Sequence, residues 1–153
     1  MTAIPDRKIV LDLCRQGQEA RKLEYGRELE NLDEAAAAES KSSAGDKYET
    51  GREMIAQSRV VIERNLAETK ASLEAIERMA AAPLRAKVLF GSMVETTLGW
   101  YLVGASLGEL EADGIVVRTI SLASPLGSAL KGKGVGDSIP WRGSAIEVLQ
   151  IPC

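Results

Sequence analysis

Apolar positions change their period near Pro83. Between Asp6 and Ala82 they recur at helical spacing, with no proline and few glycines; from Arg85 onward they fall in short runs between glycines. The clearest row is Ile55, Ile62, Thr69 and Ile76, one every seven residues, with Leu66, Leu73 and Ala80 following four behind. A sustained seven-residue repeat keeps one seam turned toward a partner helix. Upstream, Tyr25, Leu29, Leu32 and Ala36 form a second stripe, which Ile9, Leu13, Ala20 and Leu23 extend toward the N-terminus. The polar break Glu39–Asp46 separates the two arms. Folding the chain at Ala44 sets Leu32 and Ile55 at matched distances of 12 and 11 residues, and Leu13 and Ile76 at 31 and 32. The pattern predicts an N-terminal antiparallel α-helical coiled-coil hairpin over 1–82 with its tip near 42–50. Arms of some 35 residues reach about 50 Å at 1.5 Å per residue. The same pattern equally serves a purely structural or oligomerisation device.

The second half, 83–153, predicts strands near Lys87–Glu95, Trp100–Val103, Ile115–Ser121 and Ile146–Ile151. A short helix is expected over Pro125–Leu130, and Val135-Gly-Asp137-Ser138 reads as a turn into one more short strand. The expected class is α+β: a helical hairpin followed by a small twisted sheet packed on one short helix.

Composition narrows the chemistry. The 153 residues are 45% hydrophobic and 27% charged, as folded proteins are, but only 4% are aromatic. The core must therefore be aliphatic, which suits a hairpin and a small sheet better than a large ligand pocket. A net charge of −3 is not that of a free-standing duplex-DNA binder, so sequence-specific DNA binding is not expected. The absence of histidine removes imidazole bases and histidine-ligated zinc. Cys14 and Cys153 are compatible with a disulfide or with two free thiols, and reduced thiols in a cytosolic protein are the expectation. With no apolar leader and no membrane-length apolar run, a cytoplasmic protein is expected.

The tip offers the most chemistry. Asp46 and Glu49, three apart at a helix start, can converge on one side. Two carboxylates bind Mg²⁺ weakly, because the ion keeps its waters, so they suit a half-site completed by a partner. Asp-x-x-Glu is also a capping box, in which each side chain takes a backbone N–H of the first turn. From Asp33 to Glu53 six acids stand against three bases.

Ile120-Ser-Leu-Ala-Ser-Pro-Leu-Gly-Ser-Ala-Leu-Lys-Gly-Lys-Gly-Val-Gly-Asp137 resembles the C-terminal segment of the GreA/GreB transcript-cleavage elongation factors, Gly91-Ser-Met-Val94 is similar to the opening strand of that domain, and Gly45-Asp46-x-x-Glu49 resembles their acidic tip. The resemblance spans nearly the whole chain in family order. It implies an FKBP-like C-terminal domain that docks RNA polymerase at its secondary channel. The coiled coil then reaches the catalytic centre, where the tip stimulates cleavage of backtracked RNA. Asp46 would coordinate the active-site Mg²⁺, held mainly by the polymerase, and Glu49 would orient the metal or the attacking water. Ser124, Pro125 and Leu126 would contact the polymerase, or else simply start and pack the short helix. The chain would itself be no enzyme, would meet nascent RNA only indirectly and would be a monomer. Tyr48 and Thr50 stand where the family has Ser and Asn, and Gly51 follows. That difference keeps open a Gre-like secondary-channel regulator or inhibitor without cleavage activity. A prolyl isomerase would need an aromatic-lined pocket, for which only Phe90, Trp100, Tyr101 and Trp141 are available. Arg59, Arg64 and Lys70 could face RNA or simply solvate the helix flanks.

Overall fold

The computed structural model describes residues 3–40 and 45–152; the side chains of 39–40 and 45–48 lie outside that description. Two long helices, α1 (Arg7–Ser40) and α2 (Gly45–Ala81), precede the strands β1 (Met93–Thr96), β2 (Gly99–Gly104), β3 (Glu109–Ala112) and β4 (Ile115–Ser121). The short helix α3 (Pro125–Leu130) and the strands β5 (Ser138–Trp141) and β6 (Ser144–Gln150) complete the order. The six strands form one mixed sheet, β3-β4-β2-β1-β6-β5, in which only β2 and β4 run parallel. The class is α+β. No helix among the described residues is long and apolar enough to cross a membrane.

The chain divides into two compact units, Gly17–Leu73 and a second that joins Met1–Gln16 to Glu74–Cys153. In the second, β2 is buried along Trp100–Val103. Alternation sends its side chains to both faces. Tyr101 and Val103 enter a cluster with Val88, Val94, Leu130, Ile139, Ile146 and Val148. Met79 lies against Gly104, on the face of Trp100 and Leu102: a Cβ at Gly104 would collide with its sulfur. Val10, Leu11, Cys14, Ala75 and Ile76 are buried with Met79. The helix ends thus supply core to the same unit as the sheet, whereas composition alone marked a change at Pro83.

Asp6 starts α1 by accepting from Lys8 N (2.8 Å) and Ile9 N through Oδ1, satisfying N–H groups that no helical carbonyl reaches. The next residue, Arg7, donates from Nε to Gly91 O at 2.9 Å and from its terminal nitrogen to Met79 O. It therefore ties the first turn of α1 to the last turn of α2, where carbonyls have lost their helical partners, and to the turn at Gly91. Burial holds its guanidinium below the usual arginine value. Arg7→Met is expected to lower stability by about 1–3 kcal/mol, the cost of leaving Gly91 O without this donor while Met79 O keeps only Ala82 N at 3.3 Å; urea unfolding at neutral pH measures it.

Cys14 is a free, buried thiol, and desolvation pushes it up to about 11. The folded protein keeps this proton where the unfolded chain has begun to lose it. The associated stability is complete below the ordinary thiol value near 9 and is lost as pH rises through about 11. Cys14→Ala is expected to flatten the fall in stability between about pH 9 and 11, read by thermal unfolding across that range.

In the unit Gly17–Leu73 the seven-residue row of α2 is the sheltered one: Ile55 and Ile62 are half-buried and Thr69 is buried, while Leu66 and Leu73 behind them are half-buried. Thr69 Oγ1 donates to Asn65 O at 2.8 Å, so its hydroxyl is satisfied within its own helix. On α1 the stripe is half-buried at Tyr25, Leu29 and Leu32, but Ala36 is exposed and Ala35 is sheltered instead. Upstream the expected extension slips. Ile9, Ala20 and Leu23 are exposed, and Val10, Leu11, Cys14 and Gln18 are buried, leaving only Leu13 half-sheltered.

The expected strand Lys87–Glu95 is found only at its ends, as an isolated bridge at Lys87 and the start of β1, with a turn at Phe90–Gly91 between them. Gly91, at φ +91°, reverses the backbone, and only Met93–Glu95 belongs to β1. Strand β3 lies where the pattern marks no strand. The helix Pro125–Leu130 and the short strand after Asp137 are found where the pattern put them.

Candidate functional site

The two segments singled out by the sequence fall in different units. Asp46 and Glu49 belong to the first turns of α2. The Asp46 side chain, like Ser42, Ser43 and Ala44, lies outside the described residues, so the proposed capping contacts and convergence of the pair do too. Glu49 is exposed. Among the described residues no group of three or more acidic, cysteine or histidine side chains is gathered for a metal. The donor chemistry at 46 and 49 is two hard carboxylates, which fit a fraction of a magnesium shell and leave the rest to another molecule.

Two ion pairs join α1 to α2 on either side of the unit boundary. Arg15 Nε donates to Glu77 Oε1 at 2.7 Å, and Arg15 also meets Asp12. Farther along, Arg59 pairs with Asp33 and, at 3.6 Å, with Glu63. The bond to Asp33 is the main cause holding the Arg59 guanidinium above its ordinary value. Arg59 is thus committed to carboxylates, and of the three cations considered for RNA contact only Arg64 and Lys70 stand exposed outside such pairs.

The segment Ser124-Pro125-Leu126 is built by its neighbours. Ser124 sits in extended backbone, φ −65° and ψ 159°, and caps α3 by accepting from Gly127 N at 3.0 Å. Its hydroxyl also donates to Ser121 O at 2.6 Å. Pro125 occupies the first helical position, where no N–H is needed. Leu126 packs, half-buried, on the aliphatic cluster beneath α3. Gly127 is fixed by space: a Cβ there would fall on the Ser121 carbonyl oxygen and 3.0 Å from Leu122 Cα. The Ser-Pro-Leu-Gly run therefore has a complete local explanation, and Pro125 is the member with an exposed side chain.

The aromatic residues do not combine into an open pocket wall. Trp100 and Tyr101 are each only 6% exposed, on opposite faces of β2. Phe90 lies 5.9 Å beneath the Arg78 guanidinium, and Trp141 lies 5.3 Å beneath that of Arg142.

No protein-family model matches the chain, and no curated protein is similar to it at a significant level.

Proposed function

We propose that this chain is a cytoplasmic, Gre-like transcription elongation factor that binds bacterial RNA polymerase through the secondary channel and stimulates cleavage of backtracked RNA. The reading takes α1 and α2 as an antiparallel hairpin, 83–153 as an FKBP-like docking domain, and Asp46 with Glu49 as the donated carboxylates. One observation carries it. The residue numbers add to 92 both in Arg15–Glu77 and in Asp33–Arg59. A constant sum is what antiparallel helices produce, and half of it falls at 46. The reversal is then expected within about one helical turn of the acidic pair. The apolar pairs matched in the sequence have sums of 87 and 89, a difference that long ion-paired side chains span.

On this reading the hairpin offers two carboxylates to a site where the polymerase already holds magnesium. A second ion there would activate water for hydrolysis of the RNA 3′ end. The chain's own part is to orient that half-shell, and it needs no pocket of its own. Ser124–Leu126 would meet the polymerase surface, with Pro125 outermost. Tyr48, Thr50 and Gly51 favour a second reading, in which the chain occupies the same channel and inhibits. Transcript cleavage in a stalled, backtracked complex of the cognate polymerase separates the two: acceleration on adding the protein supports the first, and binding without acceleration supports the second.

A further inference from the structure

Leu23 is 58% exposed on a helix whose sheltered stripe in the unit Gly17–Leu73 is Tyr25, Leu29 and Leu32. At about 100° per residue it lies roughly 120–180° around α1 from those three, on the opposite face. Glu19, Ala20, Gly26, Arg27 and Glu30 fall within about 60° of it on the same projection. All are exposed except Gly26, which is half-buried. A shallow groove of about 290 Å³ is lined here by Glu19, Lys22, Leu23, Gly26, Arg27 and Glu30. Gly26 opens it. A glycine in mid-helix weakens the helix, yet a Cβ at this position would meet nothing within 4 Å, so no neighbour inside the chain requires it. The charges are also uncommitted. Glu19 and Lys22, like Arg27 and Glu30, stand three apart, but among the described residues none of the four is ion-paired.

We infer that this face of α1 pairs with the same face of a second copy of the chain, antiparallel about a two-fold axis at Leu23. In such a pair, residues at equal height have numbers that add to 46. Leu23 then meets Leu23 on the axis. Glu19 of each copy stands level with Arg27 of the other, so the ion pair occurs twice, as an isologous contact demands. The two lie about 40° to either side of Leu23, and their long side chains reach across the contact line. Ala20 comes level with Gly26, and these small side chains let the helices approach.

The charge order selects both the occupant and the register. Two acids and two bases on one face leave it neutral, so neither a polyanion nor a basic partner is favoured. What the order fits is its own reverse. Moving the axis midway between Leu23 and Gly26 would set Glu19 against Glu30 and Lys22 against Arg27, and like charges facing each other penalise that register. From Glu19 to Arg27 the contact is only about 12 Å long, too short to bury the roughly 1,200 Å² of a stable interface. The pairing is therefore reversible and concentration-dependent. It does not rest on the polymerase reading, because it uses no residue of the α2 tip or of 83–153.

Sedimentation velocity of the full chain at concentrations up to about 1 mM is the test. Wild type is expected to dimerise. Glu19→Arg and Arg27→Glu, each alone, place like charges together twice and are expected to weaken the dimer by about tenfold or more. Glu19→Arg combined with Arg27→Glu in one chain is expected to restore it, and so is an equimolar mixture of the two single variants. A folding defect in either variant would produce neither rescue. Val61→Glu, at an exposed position of α2, is expected to leave association unchanged. A monomer at every concentration would overturn the inference, and if the single exchanges then weakened polymerase binding instead, the face would belong to polymerase. Association indifferent to the single exchanges, unrescued by the double exchange, or abolished by Val61→Glu would overturn it too.

Discussion

Asp46→Asn together with Glu49→Gln is expected to reduce stimulated cleavage by about a hundredfold or more, while polymerase binding stays within about twofold. The argument is one of charge at constant shape. Each substitution removes an anionic oxygen and leaves the side chain nearly isosteric, so helix α2 should fold unchanged. On the proposed mechanism what disappears is the pair's share in holding a divalent cation, and a metal or oriented donor at developing charge is commonly worth two or more orders of magnitude in rate. A mere capping pair would behave differently. Asn remains a good N-cap and Gln a good capping-box partner, so both thermal unfolding and cleavage would stay near wild type. Equal cleavage by wild type and double variant would remove these carboxylates from the mechanism.

Gly127→Ala is expected to destabilise the unit containing the sheet by about 2–4 kcal/mol. The added methyl would sit on the Ser121 carbonyl oxygen and against Leu122 Cα. Both are backbone, so no side-chain rotation relieves the clash, and overpacking that moves backbone costs more than a simple misfit. Separation of α3 from the end of β4 would also strain the Ser124 cap at its two hydrogen bonds and lift Leu126 and Leu130 from the aliphatic cluster. Thermal or urea unfolding measures the loss. A Gly127→Ala protein as stable as wild type would show that α3 does not depend on this close approach.

The period of the chain made the helices and the sheltered α2 row legible, because Ile55, Ile62, Thr69 and Ile76 face one way whatever lies opposite. It did not reveal that α1 changes its buried face. Val10, Leu11 and Cys14 serve the unit that contains the sheet, and a single stripe drawn from Tyr25 back to Ile9 crosses from one core to another. Strand β3 escaped because Glu109-Leu-Glu-Ala has no β-branched residue. Its signal was there in the alternation of Leu110 and Ala112 with glutamates, and in Asp113-Gly114, both at positive φ, a hairpin turn. The apolar run across Lys87–Glu95 reads as one strand because it conceals what Gly91 does to the chain direction. Helix α3 could be placed from Ser124, Pro125 and Gly127 alone, since cap, first-turn proline and close-approach glycine each fix one position. The backbone pairing of residues 87–88 with 132–134 could not be read in sequence. Its halves are more than forty residues apart and meet through the backbone bonds of Val88 and the bridge between Lys87 and Gly134.

The most direct test of the tip's destination replaces the polymerase's magnesium with Fe²⁺ in a stalled complex and maps where locally generated hydroxyl radicals cut this protein. Scission confined to the neighbourhood of residues 45–50 is the predicted result. Cuts only in 83–153, or none in a complex that demonstrably holds the protein, would contradict the claim that the α2 start reaches the catalytic metal.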